Sequence, residues 1–460
     1  MEIEEIVRNQ REYFLMGWPL DVKVRIEVLK KLKVELQKHE SDLADALYAD
    51  LHKSELESYM SETGMVLDEI SYVLKHIKSW SRTKKVKTPI AQFLSKSCVV
   101  PEPYGVVLIM APWNYPVQLC LEPLVGAIAA GNTAVIKPSA YAPKVSECIA
   151  KLIKDVFDPQ YVTVVEGGRE QNTALLEQKF DYIFFTGSSR VGKVVMEKAA
   201  KNLTPVSLEL GGKSPVLVDH SADLKLAAKR LAFGKYLNAG QTCVAPDYLL
   251  IESSVKDKFL EFFKESVEEF FPAGNFDDSP VIINEKHYNR LMGLIDGSVK
   301  QGAQIFLGGS GNIDHCFIEP TVLTGVTFDS PIMQEEIFGP ILPVIEFDGS
   351  VDKILDIIRR RPKPLALYLF SNDKDLQKRV LSCVPFGGGC INDTIIHLAT
   401  PYMGFGGVGE SGMGSYHGKK SFDTFTHYKS IVKKSNLLDL PMRYHPYSDK
   451  KLKIIKKFMK

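Results

Sequence analysis

The chain has 460 residues with a formal net charge of +1, and 25% of its residues are charged and 45% are hydrophobic. This length exceeds one ordinary hydrophobic core, so we expect two large domains. The near-neutral balance excludes a basic footprint for nucleic acid, and no nucleic-acid partner is expected.

Several features of the sequence bear on the cellular compartment and on metal binding. Seven cysteines are scattered without a CxxC pair, which favours a reducing compartment over a disulfide framework. Ten histidines show neither HExxH nor clustered spacing, so no metal site is expected. Residues 1–6 are acidic where a signal peptide would be basic, and the apolar run 105–111 is far shorter than the roughly 20 residues that cross a bilayer. We therefore predict a cytoplasmic protein.

The spacing of apolar residues predicts secondary structure along the chain. Residues 21–80 show helical periodicity, and the basic, β-branched stretch 84–103 predicts an extended excursion or hairpin. Short apolar runs then alternate with helical segments, which predicts mostly parallel, doubly wound sheets. A second alternation begins at Val216, so we place a domain change near Leu210. The apolar runs are 106–110, 124–130, 133–136, 162–165, 182–185, 216–218, 248–251, 305–307 and 365–370.

Two segments carry a thiol and a carboxylate beside glycines. Glu209 lies in LELGGKSP and Cys243 lies in GQTCVAP. A thioester that forms and is then hydrolysed needs a nucleophilic thiol and a general base, so these are the candidate nucleophile and base. Because a free thiol with a pKa of about 8.5 is little ionised at neutral pH, we expect a neighbour that stabilises the thiolate.

The segment 182–193 has the pattern of a strand, a glycine turn and a helix. Backbone N–H groups at such a helix start, with the Ser188 hydroxyl, suit a phosphate. Gly187, Gly192 and the following lysine also meet the GxxxxGK pattern of a nucleotide hydrolase, but Val194 replaces the residue that would hold Mg²⁺. A generic strand-to-helix turn is the plain alternative.

Three further motifs have ordinary alternatives when taken singly. Asn114, between prolines in APWNYP, suits a turn. Lys137 ends a predicted strand, where an open α/β sheet binds its ligand. Taken alone, a lysine that is simply exposed to solvent is the ordinary interpretation of this residue. Glu336 and Phe338 lie in EEIFGP, which alone predicts only an acidic turn.

The motifs APWN, KPS, FTGS, LELGGK, GQTC and EEIFGP occur in this order, followed by the glycine-rich tail 401–422. Together they resemble the aldehyde dehydrogenase superfamily, and the tail resembles its class 3 branch. The resemblance covers nearly the whole chain. It implies an α/β aldehyde dehydrogenase-like fold, with two doubly wound parallel-sheet domains and a small β bridging and oligomerisation region. It also implies oxidation of an aldehyde to the carboxylic acid with NAD or NADP, through a cysteine thioester.

The resemblance assigns roles to the motif residues. Cys243 would attack the aldehyde, Asn114 and the Cys243 backbone N–H would form the oxyanion hole, and Glu209 would activate the hydrolytic water. Of the cofactor contacts, Lys137 would bind the adenosine ribose, Gly187, Ser188 and Gly192 would seat the pyrophosphate, Glu336 would anchor the nicotinamide-side ribose and Phe338 would pack near the ring.

The same resemblance divides the chain. Residues 1–83 and 104–209 would form the dinucleotide-binding domain, 210–395 the catalytic domain, 84–103 and 396–438 the bridging region, and 439–460 a tail. We expect a homodimer, with the lysine-rich tail packed against it. Contact of that tail with a membrane surface is the less favoured alternative.

Substrate and cofactor preference are less constrained. Tyr115, Leu119 and Ile391 lie beside the motifs and would line an apolar tunnel, which favours medium-chain aliphatic or aromatic aldehydes. Ala140 stands where NAD-using members commonly have a glutamate, so we predict that NADP is accepted. The open alternatives are a coenzyme A-acylating relative, a non-catalytic structural protein on the same fold and a P-loop-type nucleotide hydrolase.

Overall fold

The computed structural model describes residues 2–277, 279–348 and 351–459, so Met1 and Lys460, the outer limits of the predicted segments, lie outside it. Helices surround two large sheets. The helices are α1 Ile3–Leu15, α2 Val22–Lys38, α3 Glu40–Leu51, α4 Glu55–Ser58, α5 Gly64–Trp80, α6 Pro116–Ala130, α7 Pro143–Val156, α8 Arg169–Leu176, α9 Ser189–Ala200, α10 Leu224–Tyr236, α11 Lys256–Phe270, α12 Glu285–Lys300, α13 Val351–Arg360, α14 Lys374–Cys383, α15 Lys419–Thr424 and α16 Asp449–Phe458.

The strands are short and are distributed over the whole chain. They are β1 Lys84–Val86, β2 Ser95–Pro103, β3 Val106–Met110, β4 Thr133–Lys137, β5 Val162–Val164, β6 Tyr182–Thr186, β7 Val206–Glu209, β8 Pro215–Val218, β9 Tyr248–Glu252, β10 Gln304–Leu307, β11 Gly311–Asn312, β12 Phe317–Ile318, β13 Thr321–Thr324, β14 Ile341–Phe347, β15 Ala366–Phe370, β16 Gly388–Ile391, β17 Gly412–Met413 and β18 Thr426–Lys434.

The first sheet has the order β17-β7-β6-β3-β4-β5, and its strands are parallel except for the short edge strand β17. Every residue of β3, β4 and β6 is buried. Helices on both faces account for this burial, since a parallel sheet is stable when both faces are covered. The motifs APWN, KPS, FTGS and LELGGK lie at the carboxyl ends of β3, β4, β6 and β7, where an open α/β sheet binds its ligand.

The second sheet has the order β10-β13-β14-β9-β8-β15-β16 and is parallel apart from the β10–β13 pair. The chain passes from the first sheet to the second between Glu209 and Pro215, close to the predicted change at Leu210. The strand β17 then returns the glycine-rich tail to the first sheet. The predicted domain boundaries themselves stay predictions.

A third sheet, in the order β1-β2-β18, extends from this body. The β1–β2 pair is antiparallel, so the predicted hairpin at 84–103 is confirmed. β18 pairs with β2 along its whole length and leaves its other edge unpaired among the described residues. α16 lies over this sheet, and Ile454 and Ile455 line an apolar cavity of about 670 Å³ together with Phe93 and Val432.

Most of the predicted elements are confirmed. Residues 21–80 are helical, with a π-helical turn at Tyr59–Thr63, and the predicted apolar runs form strands except 124–130, which lies in α6. That run is buried on all sides, so its sequence has no helical periodicity to display. The strands that were not predicted are β7, β11, β12, β13, β14, β16, β17 and β18.

Candidate active site

The loop between α10 and β9 presents Cys243. Asn238 and Ala239 in this loop adopt left-handed backbone conformations with φ of 52° and 51°. The Asn238 N–H donates to Glu57 Oε1 at 2.8 Å, and Tyr368 donates its hydroxyl to the Val244 carbonyl at 2.6 Å. Cys243 is a free, partly exposed thiol between buried neighbours. The loop is therefore held on both sides of the sulfur.

The environment of Cys243 opposes ionisation of the thiol. Burial, together with the nearby carboxyls of Glu336 and Glu209, raises the pKa of Cys243 to about 12, and backbone N–H groups act in the opposite direction. Among the described residues, backbone N–H groups favour the thiolate, whereas the nearest charged side chains are acids and oppose it. The neighbour expected to stabilise the thiolate stays a prediction.

Glu209 ends β7 and is 3% exposed. Neither of its carboxylate oxygens has a hydrogen-bond partner among the described residues. Burial raises the pKa of Glu209 well above its ordinary value. A Cβ added to Gly406 would lie 3.1 Å from Glu209 Oε1, so the glycine-rich tail closes over this carboxyl. A buried, unsatisfied carboxyl costs stability, and such groups cluster at functional sites.

Asn114 lies in the loop that joins β3 to α6, and it reaches the cysteine loop. Its side-chain Nδ2 donates to the Gln241 carbonyl at 2.9 Å. Its own carbonyl accepts from Asn238 Nδ2 at 2.8 Å and from Lys53 Nζ at 2.9 Å. These bonds bring two residues that are far apart in sequence, Asn114 and Cys243, into one site.

Lys53 and Glu62 support this loop, and sequence reasoning missed both. Lys53 Nζ donates to Glu62 Oε1 at 2.6 Å, and both side chains are fully buried. Glu62 Oε2 accepts the backbone N–H groups of Val117 and Gln118, at 2.8 and 3.0 Å, in the first turn of α6. Lysine and glutamate residues within a helical stretch are usually exposed at the protein surface. The sequence therefore gave no indication that these two side chains form a buried pair.

A cavity of about 170 Å³ adjoins Cys243. Tyr115 and Leu119 line it as predicted. Ile391 does not, because it ends β16 and is 37% exposed, so this part of the predicted tunnel is wrong. Most of the other lining residues are apolar, among them Met65, Phe233, Leu237, Ile395, Leu398 and Phe405.

His417 also lines this cavity. Its Nδ1 lies 3.4 Å from Glu122 Oε2, and its Nε2 has no partner among the described residues. Burial lowers the pKa of His417 to about 3. The imidazole is therefore neutral at physiological pH, and it is one of the few polar groups of the pocket wall.

The residues of the predicted phosphate seat lie at the start of α9. Ser188 caps the helix by accepting the Val191 N–H at 3.5 Å, and Gly187 precedes it in the turn. Gly192 is buried inside α9, where a Cβ would lie 2.7 Å from the Leu210 side chain. Close packing of α9 against Leu210 explains why residue 192 is a glycine. The predicted contact of Gly192 with a cofactor stays a prediction.

Lys137 and Phe338, two further predicted cofactor residues, both contact neighbouring groups of the protein. Lys137 is 2% exposed and its Nζ donates to the Pro138 carbonyl at 2.6 Å. Phe338 adopts a φ of 50° and meets Trp113 edge to face, with ring centroids 5.4 Å apart.

Glu336 packs against the glycines that follow Glu209. A Cβ added to Gly211 would lie 2.1 Å from Glu336 Oε2, so only a glycine leaves room there. Glu336 Oε1 has no partner among the described residues, and burial raises the pKa of this carboxyl to about 8. A cleft of about 290 Å³ joins Glu336 to Ser189 at the start of α9. A free acceptor at one end and a helix N-terminus at the other fit a ribose hydroxyl and a phosphate of a dinucleotide.

Among the described residues, no group of three or more His, Cys, Asp or Glu side chains is arranged to hold a metal ion. None of the helices in the described ranges combines the length and the apolar character that crossing a membrane requires.

Comparisons with known proteins agree with this geometry. The sequence model of the aldehyde dehydrogenase family matches residues 1–431. The chain is 50% identical over 461 residues to the 4,4'-diaponeurosporen-aldehyde dehydrogenase of Staphylococcus aureus (strain NCTC 8325 / PS 47), covering 100% of this chain and 99% of that protein. It is 43% identical over 451 residues to the dimeric NADP-preferring aldehyde dehydrogenase of Canis lupus familiaris, covering 97% and 98%.

A solved structure, the substrate-bound state of Staphylococcus aureus AldH, superimposes with a TM-score of 0.97 at 49% identity and covers 100% of both chains. Family, relatives and fold thus coincide over the whole length. The chain belongs to the aldehyde dehydrogenase family, and it is an enzyme that oxidises an aldehyde to the carboxylic acid with NAD or NADP.

Proposed function

We propose that Cys243, Glu209 and Asn114 carry the reaction and that the substrate is an apolar aldehyde. The observation that supports this most directly is the buried carboxyl of Glu209, which has no partner among the described residues and is close enough to Cys243 to raise the pKa of the thiol. A carboxyl held in this state has a function other than stabilising the fold, since burial without a partner is unfavourable.

The first step is attack of the Cys243 sulfur on the aldehyde carbon. The thiol must lose its proton first, and Glu209 is suited to accept it, because its own raised pKa makes the carboxylate a stronger base than an ordinary glutamate. The carbonyl oxygen becomes an oxyanion as the C–S bond forms. Asn114 Nδ2 gives one N–H to Gln241 and turns the other to this oxygen, beside the Cys243 backbone N–H. Such a donor contributes about 2.7–4 kcal/mol to the transition state.

The second step releases the acid. When bound, NAD or NADP supplies the hydride acceptor that converts the adduct on Cys243 to a thioester. Glu209 then takes a proton from water, the oxygen attacks the acyl carbon, and the C–S bond breaks to return the thiolate. The phosphate seat of Ser188 and the carboxyl of Glu336 would hold the two halves of the cofactor, Phe338 would pack near the nicotinamide ring and Lys137 would bind the adenosine ribose.

The pocket supports an apolar aldehyde. The Tyr115 hydroxyl and Thr242 Oγ1 form a hydrogen bond of 2.6 Å, and Tyr115 is part of the cavity wall. Met65, Leu119 and Phe405 contribute further apolar wall. The small volume favours medium-chain aliphatic or aromatic aldehydes at the reaction centre over charged ones, because the wall offers no carboxylate or ammonium to pair with a charge.

The assembly proposed for the chain is a homodimer. The edge of β18 is long, exposed and unpaired within the described chain, and edge strands of this kind pair with another chain unless they are protected. A relative named as dimeric matches 97% of this chain. The predicted cytoplasmic location is kept as a proposal on the sequence alone.

Reduced-nicotinamide absorbance with a panel of aldehydes tests the substrate proposal. Hexanal and benzaldehyde should be oxidised with higher kcat/KM than betaine aldehyde, with either cofactor. A higher kcat/KM for betaine aldehyde would overturn the apolar assignment. Formation of an acyl-coenzyme A product, with reduction of the cofactor that depends on added coenzyme A, would instead support the acylating alternative, which does not need Glu209 as a hydrolytic base.

A further inference from the structure

The apolar turn, residues 15–20, joins α1 to α2 and exposes four large side chains. The exposed fractions are 69% for Leu15, 66% for Met16, 59% for Trp18 and 48% for Leu20. Single exposed apolar residues are ordinary, but four within six consecutive residues form one apolar surface, which is typical of an interaction site. None of these four side chains lines the cavity beside Cys243, so the surface is separate from the proposed reaction centre.

The backbone of the apolar turn is held by the buried residue Arg25. Its Nε donates to the Pro19 carbonyl at 2.6 Å, and its Nη2 donates to the Leu20 carbonyl at 2.8 Å. Its Nη1 donates to the Ala129 carbonyl at the end of α6, at 3.1 Å. Gly17 supplies the left-handed conformation that begins the turn, with a φ of 83°. The exposed side chains therefore project from a turn that is anchored to the body of the protein.

Arg25 also connects the apolar turn to a basic segment, residues 81–87. Its Nη1 lies 3.5 Å from Ser81 Oγ, at the C-cap of α5. Four exposed cations follow Ser81 in the chain as it enters β1, and these are Arg82, Lys84, Lys85 and Lys87. Neither the apolar turn nor the basic segment contains an acid. An exposed apolar surface and a cluster of positive charge thus lie at one corner of the protein.

We propose that the apolar turn and the basic segment bind the surface of a membrane that contains anionic lipids. Tryptophan and leucine side chains enter the boundary between headgroups and acyl chains, while lysine and arginine side chains pair with the anionic headgroups. A second copy of this chain fits less well, because a two-fold interface places a patch against its own counterpart and would bring two basic segments together.

Sedimentation of the full-length protein with vesicles tests the proposal. Vesicles of equal parts phosphatidylglycerol and phosphatidylcholine should bind the wild type, and added salt should weaken the binding because it screens the charges. Vesicles of phosphatidylcholine alone should bind at least about tenfold more weakly. Trp18→Ser should lower the partition coefficient for the anionic vesicles at least about tenfold, since a large apolar side chain no longer leaves water. The pair Arg82→Glu and Lys84→Glu should lower it by at least about tenfold as well.

Matched controls change the same chemistry at distant positions. Leu381 on α14 is 59% exposed, as Trp18 is, and Leu381→Ser should bind the vesicles as the wild type does. The pair Lys353→Glu and Lys378→Glu alters the net charge as much as the pair in the basic segment, at exposed positions of α13 and α14. It should also leave the binding close to that of the wild type. Equal midpoints of urea unfolding show that the compared proteins are folded.

Tryptophan fluorescence identifies the residue that enters the lipid. The chain has three tryptophans, and Trp18 is 59% exposed whereas Trp80 is 8% exposed. Anionic vesicles should move the emission of the wild type to shorter wavelength as the Trp18 indole leaves water. Trp18→Phe should still bind the vesicles, because phenylalanine is also apolar, but it should lose this spectral change.

The outcomes separate the membrane from other partners and from the reaction. Absence of vesicle binding by the wild type, or undiminished binding by folded Trp18→Ser, overturns the proposal. Binding that is lost on deletion after Leu438 and kept in both variants of this corner would assign the membrane contact to the C-terminal tail instead. A lower molecular mass of Trp18→Ser in light scattering, with no vesicle binding by the wild type, would assign the surface to contact between copies. Failure to oxidise an apolar aldehyde would overturn the proposed function and leave these binding results unaffected.

Discussion

Lys53 and Glu62 form a fully buried ion pair, 2.6 Å long, behind the loop that carries Asn114. Lys53 Nζ also donates to the Asn114 carbonyl and lies 4.1 Å from the centre of the Tyr115 ring. Glu62 accepts two N–H groups at the start of α6. One ion pair therefore holds both ends of the segment that places the amide beside Cys243.

Loss of the lysine should destabilise the fold strongly. Lys53→Met leaves the Glu62 carboxyl buried without its cation, which typically costs about 3–5 kcal/mol. The control is Lys30→Met, because Lys30 pairs with Glu27 at 3.3 Å on the exposed face of α2 and should change the free energy of unfolding by less than ~1 kcal/mol. Urea denaturation measures both. A loss of under ~1 kcal/mol for Lys53→Met would contradict a stabilising pair.

Glu209→Gln and Cys243→Ala should separate the two halves of the reaction. Cys243→Ala should give neither reduced cofactor nor acid, because no thioester can form. Glu209→Gln should keep a pre-steady-state burst of reduced cofactor while the steady-state rate falls by ~10²–10⁴-fold, the usual contribution of a general base. The burst should also be slower if Glu209 deprotonates the thiol.

Intact-mass and peptide mass spectrometry of Glu209→Gln with an aldehyde and cofactor identify the trapped adduct. The acyl group should be on the peptide that contains Cys243. An adduct on any other cysteine, or full turnover by Cys243→Ala, contradicts the assignment.

The pH dependence of Cys243 alkylation should report its acidic surroundings. Burial and the carboxyls of Glu336 and Glu209 raise the pKa of the thiol to about 12, and only the thiolate reacts. The rate of Cys243 alkylation by iodoacetamide without cofactor should therefore rise from pH 7 to 10 without a plateau.

The pKa of Glu336 is about 8, so the negative charge of its carboxyl is present mainly above pH 8. Glu336→Gln should thus accelerate alkylation most at pH 9–10.

Two controls accompany this measurement. Glu335→Gln changes an exposed neighbouring carboxyl and should leave the profile as in the wild type. Cys383, an exposed thiol, gives an internal reference in the same digest. A plateau for Cys243 below pH 8 in the cofactor-free protein would show that the thiolate is stabilised after all.

NADP should be accepted alongside NAD. Ala140 is exposed, three residues after Lys137, and brings no negative charge to the region proposed for the adenosine ribose. Ala140→Glu should lower kcat/KM for NADP at least about fivefold relative to NAD, since a like charge at ~4 Å costs ~1 kcal/mol even in water. Ala140→Gln, of similar shape but neutral, should leave the ratio near that of the wild type. A wild type with a strong preference for NAD would contradict the prediction.

A homodimer should be seen by light scattering at micromolar concentration, and a monomer mass would rule it out. Deletion after Leu438 removes α16 and uncovers the apolar surface of β18 that includes Val432, so the dimer should weaken. If the lysine-rich tail serves a membrane instead, the truncated protein should remain dimeric and lose sedimentation with anionic vesicles.

The sequence by itself determined the family, the reaction and the order of the motifs. Cys243 in GQTC and Glu209 in LELGGK could be assigned from the sequence. A candidate nucleophile or base is recognised by its residue type and by the glycines next to it, and both are local features of the sequence. The family assignment and its enzyme relatives exclude the alternatives of a structural protein and a P-loop-type hydrolase. Strand and helix periodicity located most elements for the same local reason.

The tertiary structure decided what depends on distances between remote residues. No spacing in the sequence joins Lys53 to the Asn114 carbonyl, or places His417 in the pocket and Ile391 outside it. The direction of the Cys243 pKa shift was also inaccessible, because it depends on which charges face the sulfur after folding. Burial and electrostatic interaction are properties of the folded chain. Only the tertiary structure therefore reveals that the Cys243 thiol lies near the carboxyls of Glu336 and Glu209.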